Sequence, residues 1–233
     1  NNERIHKYGP HLLHCSNNSV ALKFLSRFTE WVTYEHKVRA LLENGKTTPL
    51  PINKTTLQDV FGKIFEDENQ TREFLNSIRN KDLKPRNTDE LFESSVGIKL
   101  ANIFFRPYTK KMWGVDPKEL SISIGARLPV RTDENSNYFN DKFQALPKNG
   151  YTELVNKMLD HRNIEVHLST PFSKDMQSEF NHSFLSIPID EYYDFKYGRL
   201  PYRSIIFENR LESNKDFDSP VINFTDNSEY TRK

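Results

Sequence analysis

From Thr55 to Phe105 the apolar residues recur at intervals of three and four: Leu57, Val60 and Phe61, then Phe74, Leu75 and Ile78, then Leu91, Phe92, Val96, Leu100, Ile103 and Phe104. That spacing lines one face of successive amphipathic helices, whereas a strand would alternate every second residue. The middle of the chain therefore reads as a helical subdomain. Just before it, Lys37 to Leu42 and Thr47 to Leu50 read as strands around Glu43-Asn44-Gly45-Lys46. Asn-Gly between two such runs predicts a hairpin, because both central residues accept positive φ. Pro85-Arg86-Asn87-Thr88 separates two of the helices, with Thr88 as cap and Asp89 and Glu90 where the helix dipole favours acids.

On either side the pattern is mixed. Ile5 to Leu13 reads as extended chain broken at Gly9-Pro10, and Asn18-Ser19 caps a short helix carrying Leu22, Phe24, Leu25 and Phe28. After Trp113-Gly114, the spacing of Pro117, Gly125 and Pro129 forbids a long helix and predicts a surface loop or lid. Gly150 precedes a helix with Leu154, Val155, Met158 and Leu159 inward. Ile164 to Leu168, Phe184 to Ile187, Tyr202 to Phe207 and Val221 to Phe224 read as strands. The chain is thus mixed α/β, of the α+β kind, in three parts: 1–54 with the hairpin, 55–126 helical with the lid, and 127–233 with a sheet.

With 233 residues the chain can bury a core of its own, and 17 Phe and 10 Tyr make that interior aromatic. Lys and Arg number 33 against 32 Asp and Glu, interspersed, so bulk attraction to nucleic acid or an anionic membrane is disfavoured. No apolar run reaches the roughly 18 residues of a membrane span. Cys15 is the only cysteine, which excludes an intrachain disulfide and makes the cytoplasm the default compartment. Five Asn-x-Ser/Thr sequons, at Asn17, Asn53, Asn69, Asn181 and Asn223, come without a signal peptide and carry little weight. No two of the eight glycines form Gly-x-Gly, so neither a dinucleotide fingerprint nor a P-loop is present.

Three clusters could carry chemistry. His11, His14 and Cys15 suggest a metal site, but Gly9-Pro10 argues against the helix that would point both imidazoles one way. Phe104-Phe105-Arg106-Pro107-Tyr108-Thr109-Lys110-Lys111-Met112-Trp113 could stack a base beside an anion, although composition alone favours ordinary core with a solvated cationic face. Arg127 and Arg131 bracket Pro129 on a constrained loop, where planar guanidinium donors suit a diphosphate and surface ion pairs would serve equally well. The residues together favour a ligand with rings and phosphates.

Lys7-Tyr8-Gly9-Pro10-His11, Pro49-Leu50-Pro51-Ile52-Asn53, Tyr108-Thr109 through Trp113-Gly114, Arg127-Leu128-Pro129-Val130-Arg131, Asn137-Tyr138-Phe139, Pro188-Ile189-Asp190-Glu191-Tyr192, Tyr202-Arg203-Ser204 and Asn223-Phe224-Thr225-Asp226 with Tyr230-Thr231-Arg232 follow one another along the chain. This collinear series resembles the central part of a UDP-galactopyranose mutase of the bacterial type.

The resemblance implies part of an FAD-linked fold, with a flavin-proximal N-terminal segment, an inserted helical subdomain and an antiparallel substrate-binding sheet. It implies interconversion of UDP-galactopyranose and UDP-galactofuranose through a sugar adduct on N5 of reduced FAD. Arg127 and Arg232 would clamp the diphosphate as catalytic residues; Phe104, Phe105, Tyr108 and Thr109 would hold the uridine end; and Trp113, Tyr138, Arg203 and Asn223 would complete substrate binding. His11 would lie by the flavin, and 115–125 would form a mobile lid. UDP-galactose or UDP is the implied partner, with neither nucleic acid nor membrane, and a homodimer the assembly. A non-catalytic UDP-sugar-binding module and a mutase for another UDP-hexose are the rival readings. Without phosphate-binding glycines, these 233 residues alone are expected to hold FAD poorly.

Overall fold

A computed structural model describes residues 9, 11–127, 129–210 and 219–233. The expected extended chain at 5–8, and the Lys7-Tyr8 and Pro10 parts of the first motif, lie outside them. The strands form two three-stranded sheets. In the first, β5 (Phe143–Pro147) runs antiparallel between β1 (Leu13–Cys15) and β2 (Trp31–Thr33). In the second, β3 (Val38–Leu41) lies between β4 (Thr47–Leu50), antiparallel, and β6 (Ile222–Phe224), parallel. The sheet carrying Asn223 is therefore mixed and not purely antiparallel. Both sheets join the first part of the sequence to the last.

The hairpin forms where Asn44-Gly45 places it. The Gly45 N–H donates to the Leu42 carbonyl at 2.9 Å, and Gly45 alone among the loop residues has positive φ, at 78°. A turn closed by one left-handed residue fits an additional loop residue, which a two-residue connection has no room for.

α2 (Lys54–Phe61) starts at a capping box. The Asn53 side chain accepts the Thr56 N–H at 3.0 Å, while its amide reaches the Glu134 and Asn135 carbonyls. α3 (Glu68–Ile78) is capped by Asp67, and α4 (Thr88–Val96) by Asn87 in place of Thr88. Asn87 is the residue with extended backbone whose side chain reaches the Glu90 N–H at 2.9 Å; Thr88 is already helical and donates to the Ser121 carbonyl. Gly97 then turns the chain at φ 82°, so close to α3 that a Cβ would meet the Ile78 carbonyl oxygen at 2.2 Å. Val38, Ala40, Leu50, Ile52, Leu57, Leu75, Phe92, Val96, Leu100 and Phe104 form one core between these helices and the β3 sheet. Each such Leu or Phe contributes about 1.5–3 kcal/mol of transfer free energy.

The segment after Gly114 is less loop-like than its sequence. A 3₁₀ turn at Pro117–Glu119 and α7 (Ile122–Gly125) lie against α4, where Gly125 faces Phe92, Thr88 and Leu91. α8 (Tyr151–Leu159) buries Leu154, but Val155 and Leu159 are exposed, contrary to the inward face expected for them. Of the four late strands, only Val221 to Phe224 forms one, as β6. Ile164 to Leu168, Phe184 to Ile187 and Tyr202 to Phe207 form none, because no strand among the described residues presents an edge to them, and Leu168, Phe184 and Ile206 are more than four-fifths exposed. Asn53 and Asn223, two of the five sequon asparagines, are buried. Among the described residues no helix is long and apolar enough to cross a membrane.

Candidate functional site

The site begins with a break in helical register. α5 (Ile98–Leu100) runs through a π turn at Ala101–Phe105 into α6 (Arg106–Trp113). Pro107 has no N–H to give and its ring crowds the preceding turn, so the Arg106 N–H reaches back five residues to the Ala101 carbonyl. Phe104, 1% exposed, is thereby enclosed in the core. Phe105 is buried and stacks on Phe92 at 4.8 Å, keeping an edge on a cavity of about 380 Å³ lined by Arg79, Ser94, Ser95 and Ala126. This burial leaves Phe104 out of a ligand's reach. Tyr108 stays half-buried, Thr109 is buried, and Trp113 is exposed at the helix end.

Arg106 fixes α6 to α4. Its Nε donates to Asp89 Oδ1 at 2.5 Å and its Nη2 to Asp89 Oδ2 at 3.0 Å, with Glu93 at 3.3 Å. At the other end of α6, Gly114 adopts φ 73°, and a Cβ there would meet Arg203 Nη1 at 2.5 Å. The Arg203 guanidinium thus lies against Gly114 at the C-terminal end of α6, where a helix dipole favours a cation.

Opposite α6, β6 continues into a hairpin. The Ile222 N–H donates to the Lys233 carbonyl at 2.8 Å and the Phe224 N–H to the Thr231 carbonyl at 3.0 Å, so buried Asn223 pairs with Arg232. A third wall is the loop carrying Tyr138. Arg131 holds it, donating to the Asn137 carbonyl at 2.5 Å and to Asn140 Oδ1 at 2.6 Å, so Arg131 is a strut of this loop.

Arg232 acts on all three walls. Burial pushes the Tyr108 and Tyr138 phenols above the usual range, and the Arg232 guanidinium pulls both part of the way back. Burial, and then Arg232, lower His36. His36 is 7% exposed, lies edge-on to Tyr138, and its Nδ1 has no hydrogen-bond partner. Beyond it Phe139 stacks on His14 at 3.8 Å, and His14 Nδ1 is 2.8 Å from Asp141 Oδ2. Neither His36 nor this row of rings follows from the motifs. His36 does share strand parity with Val38 and Ala40, and that alternation points it inward.

The structure therefore sets Arg232, paired with Asn223, within electrostatic reach of Tyr108, Tyr138 and His36, and puts Trp113 and the Arg203 guanidinium at the far end of α6. Arg127 is exposed just beyond α7 and has no ion-pair partner among the described residues. Glu119 and Asp133 are turned to backbone amides of Asp116 and Asn135 instead. His11 is exposed, its Nδ1 3.0 Å from the Gly9 carbonyl, and among the described residues no three metal-ligating side chains converge. The seven glycines with positive φ stand singly at turns and helix caps, and none opens a glycine-rich phosphate loop. These residues do not by themselves fit a flavin dinucleotide, whose pyrophosphate needs that close backbone approach.

Such a fold defines a mixed α/β protein in which a helical layer packs on a sheet that joins the two ends of the described chain. The chain belongs to the UDP-galactopyranose mutase family, whose model matches residues 103–233. It is 36% identical over 204 residues to a probable UDP-galactopyranose mutase of Klebsiella pneumoniae, covering 88% of this chain and 53% of that protein. A dTDP-fucopyranose mutase of Escherichia coli is 32% identical, covering 94% and 59%, and a UDP-galactopyranose mutase of Mycoplasma genitalium is 30% identical, covering 94% and 57%. The chain spans little more than half the length of these curated relatives.

Proposed function

We propose that this chain is the UDP-sugar-recognising part of a UDP-galactopyranose mutase, the enzyme that interconverts UDP-galactopyranose and UDP-galactofuranose. The observation that carries this is the placement of Arg232, a permanent cation within electrostatic reach of two half-buried phenols and a buried imidazole whose Nδ1 has no hydrogen-bond partner. A guanidinium donates in a planar fork that matches a diphosphate, and half-buried phenols offer ring faces and hydroxyls to a base or sugar. Tyr138, Asn223, Thr109, Trp113 and Arg203 line the remaining approach, and Arg127, exposed and unpaired, is free to close on the phosphates.

FAD is the cofactor that membership of this family suggests, and it would supply the nucleophile for the sugar. The residues of this chain account for holding and orienting the nucleotide sugar and not for holding the flavin. The lone Cys15 has no disulfide partner and suits a reducing compartment, so the same reading puts the protein in the cytoplasm.

Calorimetry with UDP, uridine and dTDP tests the reading. UDP should bind, Tyr108→Ala should weaken it by about 1–3 kcal/mol, and Arg232→Ala should weaken UDP far more than uridine. A preference for dTDP would move the substrate toward that of the fucopyranose relative. Absence of UDP binding at millimolar concentration would refute the assignment.

A further inference from the structure

Lys111 stands three residues beyond Tyr108 on α6, on the same face. Its side chain is only 14% exposed and meets the β6 hairpin at three points. The ammonium donates to the Phe224 carbonyl at 2.7 Å, to the Tyr230 carbonyl at 2.8 Å, and more weakly to Asp226 Oδ1 at 3.4 Å. Phe224 is the last residue of β6, Asp226 lies in the turn, and Tyr230 is on the returning limb two residues before Arg232. One side chain therefore grips both limbs and the turn.

A compact ammonium with three diverging donors suits three acceptors around a point, whereas a planar guanidinium fork does not. The adjacent Lys110 is exposed, so the contact follows from helical phase and not from the local density of lysines. We infer that Lys111 is a positioning residue: it fastens the hairpin to α6 and so holds the Arg232 guanidinium across from Tyr108, where the diphosphate of the nucleotide sugar sits. This deepens the proposed function and rests on it for the ligand. The grip itself rests on geometry alone.

The test compares the 233-residue chain with its Lys111→Met, Lys111→Arg and Lys110→Met variants, titrated with UDP and with uridine, together with amide hydrogen exchange without ligand. Lys111→Met should weaken UDP about tenfold or more and uridine by less than about twofold, because uridine lacks the diphosphate. Lys111→Arg should not restore it, Lys110→Met should match the parent, and the Lys111→Met/Arg232→Ala pair should bind UDP no worse than Arg232→Ala alone. In the free chain, Lys111→Met should speed exchange of the Phe224 and Lys233 amides about tenfold while α4 stays protected. Equal loss of UDP and uridine would reduce Lys111 to a fold residue and overturn the proposal, as would unchanged hairpin exchange. If the parent binds UDP no better than uridine, the proposed function falls, and the exchange experiment still decides whether Lys111 holds the hairpin.

Discussion

The Arg203 guanidinium occupies the space that a side chain on Gly114 would need, 2.5 Å from the position of its Cβ. Gly114→Ala therefore faces two penalties, a left-handed φ of 73° and the displacement of Arg203, and should lose about 1–3 kcal/mol of stability. Gly114→Asn tolerates that backbone better but still expels Arg203. If Arg203 contributes to the ligand, both variants weaken UDP alike in calorimetry; an Asn variant that binds like the parent would remove Arg203 from the site.

At Gly97 the obstacle is backbone. A methyl group there would meet the Ile78 carbonyl oxygen at 2.2 Å, and neither α3 nor α4 can move without opening the core around Leu75 and Val96. Gly97→Ala is expected to cost on the order of 3 kcal/mol or more, read as a lower urea midpoint with an unchanged slope.

Asp89 and Arg106 form the pair that joins α4 to α6. Asp89→Ala leaves a largely buried guanidinium with Glu93 at 3.3 Å as its one remaining carboxylate and the neutral Asn102 Oδ1 at 2.8 Å, and should cost about 3 kcal/mol, near the lower end for breaking such a pair. Adding Arg106→Met to Asp89→Ala should recover part of that loss, since the buried guanidinium is gone and the Glu93 carboxylate it leaves behind is partly exposed to water. A double-mutant cycle from denaturant unfolding measures the coupling, and strict additivity would show that the pair does not act as one unit.

His36 gives the fold a pH dependence with a definite sign. Burial lowers its affinity for a proton in the folded state, so between the lowered value and the ordinary 6.5 the unfolded chain binds more protons. Its contribution is thus fully present above about pH 6.5 and is lost as pH falls through that window, at no more than about 1.4 kcal/mol per pH unit. His36→Phe should flatten this part of the stability profile in urea unfolding between pH 5 and pH 7. An unchanged slope would assign the dependence to other groups.

The helical middle was legible because apolar spacing is a local property that tertiary packing then confirms: Leu57, Leu75, Phe92 and Leu100 all face inward. Turn chemistry was legible only in place. Asn44-Gly45 marks the hairpin, yet the choice between one and two left-handed residues depends on strand register, which no dipeptide encodes. Late alternation misled for a related reason, because Phe184 to Ile187 and Tyr202 to Phe207 have strand composition but no partner edge, and pairing is a property of two segments. Family resemblance named Arg232, Tyr108 and Tyr138 together, and the fold sets them near one another, while Phe104 is enclosed in the core as aromatics at helical spacing usually are. Lys111 and His36 escaped notice since each is defined by what it faces across the fold.

The β3–β6 pairing also sets the order in which the site can come into being. Ser219, just before β6, bonds the Lys37 carbonyl 182 residues away, and Asn223 and Arg232 reach their positions only through this contact. Closing so long a loop is entropically costly and slow compared with forming α2 to α6. During synthesis the helical layer and the β3–β4 hairpin can assemble early, with Tyr108 already in place, while the wall that carries Asn223 and Arg232 waits for residues 219–233. A folding intermediate of this chain would therefore hold the Tyr108 ring in place before the Arg232 guanidinium arrives beside it.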